Sequence, residues 1–355
     1  MPLNIAENIS RHGFKRLLLA VSGGLDSICL AHYFIENCET LGVEWLGIAH
    51  VHHGLREGTA DRDAEFVEAF AKAHNVPFFL KKLDGEALKA AEGSLEENAR
   101  DARYKALAEA AAGAIIVTAH HAGDQAETMY MRLRRGTTLA GLRGIQEKRV
   151  LDPSASLRFA QDDITIYRPF LSVTREELLT YAHEHNLTWY EDESNSDVTF
   201  ARNKVRHEIL PHLEETYPGA TKQLCRIAEL ADKAYGKVME KCEELFAPAL
   251  CNETLRQAQG DTAQSMDNLI LNKKTLRKIL LTHADADLSE MFRLWLSEQG
   301  FRFPIGFFYD QKEPAHVKIP VRAAYRKRSI LKKGSTIRIC EFESVAEALK
   351  FVSCK

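Results

Sequence analysis

The chain has 355 residues, and its 47 Lys and Arg residues nearly balance 50 Asp and Glu residues, which leaves a formal net charge of −3. With 45% hydrophobic and 27% charged residues, the composition is that of a folded globular protein and excludes a largely disordered chain. The near-zero charge argues against a wholly basic nucleic-acid coat protein but allows a local basic patch. The length suggests about two domains.

The cysteine pattern indicates a reducing compartment. Seven cysteines are scattered along the chain without a CxxC pair, which argues against a disulfide framework, a zinc ribbon or a cysteine-held iron–sulfur cluster. The first apolar run, Leu17 to Val21, is too short for the core of a signal peptide or for a membrane span. We therefore expect a cytoplasmic protein with no membrane partner.

Short apolar runs alternate with longer amphipathic stretches in the first half of the chain. The predicted strands are 17–21, 45–51, 76–81 and 114–119, and the predicted helices are 27–37, 60–74 and 94–111. This alternation is typical of right-handed βαβ units, which build a parallel sheet covered on both faces. The pattern predicts an α/β fold with a doubly wound, Rossmann-like sheet, and a ligand beyond the carboxyl ends of its strands.

The pattern changes after about residue 150. Further predicted elements are a strand at 163–170, helices at 174–186, 203–213, 224–245 and 291–296, and a β-rich stretch in the last forty residues. Tyr217-Pro218-Gly219 is typical of a boundary. We therefore predict a first domain over 1–216 and a smaller, mainly helical α+β domain over 217–355, with a subdivision near 315 left open.

A glycine-rich segment joins the first predicted strand to the first predicted helix. Its residues are Ser22, Gly23, Gly24, Leu25, Asp26 and Ser27. Adjacent glycines allow a tight turn, and the free N–H groups at a helix start attract phosphate. A plain strand-to-helix turn with a capping side chain is the alternative. The segment is neither a Walker A loop nor a GxGxxG dinucleotide motif.

The SGGxDS string at 22–27 resembles the signature of the PP-loop ATP pyrophosphatases, which cleave ATP between the α and β phosphates. Further strings narrow the resemblance to the tRNA(Ile)-lysidine synthetase family; they are ARDARY at 99–104, TAHHAGDQAET at 118–128, LRRG at 133–136, GLRG at 141–144, RPFL at 168–171, DESN at 192–195 and RNKVRH at 202–207. The resemblance is dense from about 17 to 216 and weak beyond. It implies that residues 22–27 bind ATP, with Asp26 catalytic and a ligand of Mg²⁺.

A second polar group follows the fourth predicted strand. Asp124 and Glu127 are three residues apart, so both carboxylates lie on one helical face, where they can bind a cation. The resemblance implies that this cation is substrate lysine. His120 and Arg100 suit contacts with phosphate or with an adenylated intermediate, and we expect both to be catalytic. The alternative is a helix start made favourable by its two acids, beside partly buried histidines.

Two positions depart from the family pattern. Gly123 replaces the first of two aspartates that usually precede the glutamine, which raises the question of whether one acid suffices for magnesium or lysine. His52 stands where Asn or Asp is usual, so that His50, His52 and His53 fall within four residues. Strand alternation places His53 on the opposite face, and no acid or cysteine is spaced to complete a metal site.

Basic residues cluster in two runs, one within 132–149 and one at 318–333. Such runs are often only solvated surface. Beside the RNA-modifying motifs they suggest a phosphate track for tRNA. We expect Arg134, Arg135, Arg202 and Arg206 to contact tRNA.

The resemblance implies an ATP-dependent ligase that joins L-lysine to C2 of the wobble cytidine of a CAU-anticodon isoleucine tRNA. The first domain would bind ATP and catalyse, and the second would bind tRNA. Two alternatives remain: another PP-loop enzyme such as a tRNA cytidine thiolase, and a non-catalytic tRNA-binding relative. The sequence leaves the oligomeric state open, a homodimer included.

Overall fold

The computed structural model describes residues 3, 5–54, 59–91, 94–151, 164–190, 201–249, 268–272, 288–298, 322–325, 328–333 and 336–341. Contacts between Cα atoms divide the chain into two units, Met1–Asp232 and Lys233–Lys355. The division falls inside one continuous helix, Ala220–Phe246. The predicted boundary between residues 216 and 217 stays a prediction.

The first unit is built on a six-stranded sheet. Its strands are β1 (Arg16–Ala20), β2 (Trp45–His52), β3 (Phe78–Lys82), β4 (Ile115–Val117), β5 (Lys148–Leu151) and β6 (Ile164–Tyr167). The strand order is β3-β2-β1-β4-β6-β5, and every neighbouring pair is parallel except β5 with β6. The predicted doubly wound α/β sheet is confirmed.

Helices cover both faces of this sheet. In chain order, the helices described up to residue 246 are α1 (Ala6–His12), α2 (Leu25–Glu36), α3 (Thr59–Ala73), α4 (Gly85–Ala90), α5 (Leu95–Ala111), α6 (Ala122–Arg135), α7 (Leu139–Leu142), α8 (Arg175–Glu184), α9 (Ala201–Lys204), a π-helical turn Val205–Ile209, α10 (Leu210–Thr216) and α11 (Ala220–Phe246). Within the described residues, no helix combines the length and the apolar character that crossing a bilayer requires.

Alternation along β1 shows how the two faces are used. Leu17 and Leu19 pack into a core with α2, α3 and α8, whereas Leu18 packs into a second core with α5. All three side chains are fully buried, as expected for a central parallel strand that reads as a continuous apolar run.

The described part of the second unit combines helix with antiparallel sheet. It contains the end of α11, helix α12 (Leu288–Glu298), and strands β7 (Asn268–Asn272), β8 (Arg322–Tyr325), β9 (Arg328–Lys333) and β10 (Thr336–Glu341) in the order β7-β10-β9-β8. Phe292 and Trp295 are fully buried against Phe246, and the Trp295 indole donates to Glu243 at 2.7 Å. Leu294 and Leu296 are buried as well, so this apolar stretch of α12 belongs to the core of the second unit.

Candidate active site

Three segments meet at one edge of the sheet because β1, β4 and β6 are adjacent and parallel. The glycine-rich segment follows β1, the His120 segment follows β4, and Arg168 follows β6. This edge is formed by the carboxyl ends of the strands, where open α/β sheets bind their ligands.

Ser27 shapes the glycine-rich loop from within. Its Oγ accepts the backbone N–H groups of Ser22 and Gly23, at 3.1 and 3.2 Å, and donates to the carbonyl of Gly24 at 2.9 Å. Gly23 has a φ of +97°, which is in the left-handed region that favours glycine. The loop therefore holds its backbone amides close together at the start of α2, the arrangement that a phosphate oxygen requires.

A short segment after α8 supports this loop from outside. The Tyr190 N–H donates to the Gly23 carbonyl at 3.0 Å. The Tyr190 ring packs edge-on against Phe66, and the Arg62 guanidinium lies 4.2 Å from the Tyr190 ring centroid. Gly23 is thus held between α3 and the Tyr190 segment.

Asp26 lies in the first turn of α2 and is partly buried, with 28% of its side chain exposed. Burial raises the pKa of its carboxyl, and nearby His121 and Arg175 oppose that rise. Its Oδ1 is buried and has no hydrogen-bond partner among the described residues; the nearest cation, Arg175 Nη1, lies 3.9 Å away. A buried carboxylate oxygen without a partner beside a phosphate loop is suited to a hard cation.

Asp124 and Glu127 lie on one face of α6, as predicted, and both carboxylates accept hydrogen bonds from two arginines. Arg202 and Arg206 donate to both carboxylates at 2.5 to 3.2 Å. Burial alone would raise the pKa of Asp124, but His121, His120 and the two arginines lower it. Two acids and two arginines therefore form a neutral cluster in which Glu127 is only 2% exposed.

His120 lies beside this cluster and is electrically neutral at physiological pH. Its Nδ1 forms a 2.9 Å hydrogen bond with the Thr118 hydroxyl. Burial and the charges of Arg168, Arg103 and Arg100 lower its pKa, although Asp124 opposes them. His120 can therefore exchange hydrogen bonds with a ligand but contributes no positive charge of its own.

A group of arginines that has no acidic partner among the described residues also lies near His120. Arg100 and Arg103 sit 5.3 and 5.2 Å from the Tyr104 ring centroid, and Arg168 is 2% exposed. Burial alone would raise the pKa of Tyr104, but the three guanidinium groups lower it to about 8. Among the described residues, no acid pairs with any of the three arginines. This positive pocket suits an anionic substrate group.

The residues predicted to contact tRNA fall into two places. Arg134 and Arg135 are exposed at the end of α6, about 16 Å along the helix from Asp124. Arg202 and Arg206 are instead committed to the acidic pair, and their contact with tRNA stays a prediction. In the basic run at 318–333, the structure describes strands but no side chains.

Sequence reasoning did not select Arg168, Tyr190 or His121 as site residues. Arg168 begins the RPFL string at 168–171, one of the strings that carry the family resemblance, and it lies near the end of a predicted strand. These two features could have identified it as a site residue. Tyr190 had none, because its role depends on a backbone hydrogen bond. His121 caps α6, a role for which sequence rules favour Ser, Thr, Asp or Asn.

Comparisons with known proteins identify the family of the first unit. The PP-loop domain family matches residues 2–213. The tRNA(Ile)-lysidine synthase of Haemophilus ducreyi is 33% identical over 297 residues, which cover 83% of this chain and 60% of that protein. The tRNA(Ile)-lysidine synthase of Pseudomonas aeruginosa is 38% identical over 211 residues, which cover 59% and 44%.

The chain spans about half the length of the curated relatives it matches, from 44% to 60% in these two cases. Among solved structures, the U34-tRNA thiolase NcsA from Methanococcus maripaludis has a TM-score of 0.49 and 16% identity, over 64% of this chain and 78% of that chain. With the family match covering well over half of its residues, the chain belongs to the PP-loop domain family.

Proposed function

We propose that this protein is a tRNA(Ile)-lysidine synthetase. It joins L-lysine to C2 of the wobble cytidine, position 34, in a CAU-anticodon isoleucine tRNA, and it releases AMP and pyrophosphate. Residues 1–216 would bind ATP and catalyse, residues 217–355 would bind tRNA, and the protein would act in the cytoplasm. The names of the curated relatives support the proposal, and the site adds physical support.

One observation carries the proposal: a phosphate-type loop and a buried carboxylate pair lie on neighbouring strands. The loop at 22–27 follows β1, and the segment that leads to Asp124 and Glu127 follows β4, its direct partner. Adjacent strands are about 4.8 Å apart, so both places open onto the same edge of the sheet, where a nucleotide and a lysine can be held side by side.

The reaction has two steps, and the residues have separate roles in them. The cytidine O2 attacks the α-phosphate of ATP, and pyrophosphate leaves from the loop at 22–27. The lysine ε-amine, which Asp124 and Glu127 position, then loses a proton to solvent and attacks C2. The bond between C2 and the adenylated oxygen breaks, and AMP leaves with that oxygen. The arginine group around Tyr104 stabilises the negative charge that both steps carry, while His120 offers hydrogen bonds.

Magnesium fits the loop, since the buried Asp26 Oδ1 lacks a partner among the described residues. Asp26 would hold the ion, which supplies charge neutralisation at the phosphates of bound ATP.

Lysine reaches its site by replacing protein cations. Arg202 and Arg206 already satisfy Asp124 and Glu127. A lysine ammonium can take over these hydrogen bonds, which releases a guanidinium group toward the substrate RNA. This exchange accounts for both roles proposed for the two arginines.

Transfer of labelled lysine to a tRNA transcript tests the function. We expect incorporation into CAU-anticodon isoleucine tRNA only with ATP present, with equal amounts of AMP formed. The elongator methionine tRNA, which has the same anticodon, is the control substrate. ATP-dependent modification without lysine would instead identify another PP-loop reaction, and tRNA binding without any modification would indicate a non-catalytic relative.

The cysteines argue against a thiolase. Cys29, the described cysteine nearest to the loop in sequence, is fully buried, and burial raises the pKa of its thiol to about 12. A sulfur-carrying cysteine must be accessible as a thiolate.

A further inference from the structure

Gly123, which departs from the family pattern, holds the ring of His121 through a backbone hydrogen bond. His121 is the N-cap of α6, and its Nδ1 accepts the Gly123 N–H at 3.0 Å. Since Nδ1 is the acceptor, the ring N–H group is on Nε2. The tautomer and the direction of the remaining N–H therefore follow from the cap.

Gly123 makes this ring position sterically possible. A Cβ atom built at Gly123 would lie 2.6 Å from His121 Cε1 and 3.1 Å from Nδ1. The first distance is shorter than real Cβ contacts allow, so any side chain at position 123 displaces the ring. An aspartate here, as in the family pattern, would be incompatible with this arrangement.

The Nε2–H group faces two carboxylates from different parts of the site. Nε2 lies 3.7 Å from Asp26 Oδ2 and 3.8 Å from Asp124 Oδ2, and the side chain is only 6% exposed. Asp26 belongs to the phosphate loop, whereas Asp124 belongs to the acidic pair. His121 is the side chain between them, and its N–H dipole is favourable to both negative charges.

We propose that His121 is a positioning residue that fixes the phosphate loop relative to the lysine site, and that Gly123 is the residue that admits its ring. The positioning role rests on the proposed function. The absence of the usual acid at position 123 then does not remove activity. It allows the His121 ring to lie between Asp26 and Asp124, an arrangement that we call the histidine bridge.

Activity measurements test the bridge with His121→Asn, Gly123→Ala and the double variant. Asparagine is a favoured N-cap, so His121→Asn keeps the start of α6 while it removes the Nε2–H group. We expect kcat for lysine transfer to fall about ten- to a hundredfold, with the KM values for ATP and lysine near those of the wild type. Gly123→Ala should cause a similar loss, and the double variant should be no worse than His121→Asn alone.

Thermal stability gives a readout that does not depend on catalysis. Alanine normally stabilises a helix relative to glycine, but in the wild type its Cβ would strike the ring. Gly123→Ala should therefore lower Tm in the wild type and raise it by about 2–4 °C in the His121→Asn background.

Wild-type kcat in His121→Asn, or losses that add in the double variant, would overturn the positioning role. An equal effect of Gly123→Ala on Tm in both backgrounds would contradict the claim that Gly123 makes room for the His121 ring. If the wild type transfers no lysine, the proposed function fails together with the positioning role. The Tm comparison still tests whether Gly123 makes room for the His121 ring.

Discussion

His120 and Asp124 share one buried region of the site but carry different charges. Burial and the nearby arginines keep the imidazole of His120 neutral, whereas the hydrogen bonds from Arg202 and Arg206 keep the Asp124 carboxyl ionised. A lysine ammonium that enters this region therefore meets a negative carboxylate and an uncharged imidazole. The charge states favour cation binding without repulsion from His120.

Asp26→Asn tests whether a charge at the phosphate loop is kept for function at a cost in stability. Burial raises the pKa of Asp26, so the folded protein holds this charge against an unfavourable environment. Asparagine has the same shape without the charge. We expect AMP formation to fall at least about a hundredfold while Tm stays equal or rises. The exposed Glu68→Gln on α3 is the control and should change neither quantity; a lower Tm in Asp26→Asn would contradict the argument.

At the scale of elements, apolar packing brings the two arginines to α6. Val205, the first residue of the π-helical turn, and Leu210, which directly follows the turn, pack against Ala126 of α6. This contact holds Arg202 and Arg206 over Asp124 and Glu127. A π-helical turn is common at functional sites, where it alters the direction of side chains within a helix.

Arg206→Met tests whether the arginines hold the place of lysine. The variant leaves the buried Glu127 with fewer cationic partners, and we expect a loss of at most about 3 kcal/mol because Arg202 remains. Added lysine should then raise Tm more in the variant than in the wild type. Lys204→Met, an exposed change on the same segment, is the matched control. Equal lysine effects in all three proteins would contradict the exchange.

The segment that ends at Tyr190 should set the affinity for ATP through the phosphate loop. Tyr190→Leu removes the ring that packs on Phe66 and Arg62, and we expect KM for ATP to rise about fivefold, the equivalent of roughly 1 kcal/mol. Tyr190→Phe keeps the ring and should behave like the wild type. Equal KM values for ATP in the Leu and Phe variants would show that the ring has no such role.

At the scale of the whole molecule, the sequence predicted the sheet of the first unit well and the charge pairing poorly. The strands and helices predicted between residues 17 and 119 end within two residues of those observed, because continuous apolar runs and helical periodicity are local signals. Strand β5 was missed, since its Lys-Arg-Val-Leu sequence at the sheet edge lacks such a run.

The acidic pair was found because Asp124 and Glu127 are neighbours on one helix. Their partners Arg202 and Arg206 lie more than seventy residues further along the chain, and no local pattern indicates which acids they meet. The position of the His121 ring beside Gly123 leaves too little room for a Cβ atom, by a few tenths of an ångström. Only coordinates show a steric conflict of that size. The net charge of −3 likewise gave no sign of a neutral cluster near three arginines that have no acidic partner in the described part of the chain.

Buried histidines should make the stability of the protein dependent on pH. His32 is 8% exposed; burial lowers its pKa, and His185 and His74 lower it further, against the opposing effect of Glu36. Burial also lowers the pKa of His50. Below about pH 6.5 these histidines are protonated in the unfolded chain but not in the folded protein. The free energy of unfolding therefore decreases as the pH falls, and it levels off below the folded-state pKa.

Tm measured from pH 8 to pH 5 tests this dependence. We expect a decrease that begins near pH 6.5 and becomes shallower in His32→Gln, which cannot be protonated. The exposed His212→Gln is the control and should keep the wild-type slope. Asp124 contributes only in more acidic solution, since its pKa is lowered, so it does not account for a change in this window. A slope in His32→Gln equal to that of the wild type would assign the acid sensitivity to other groups.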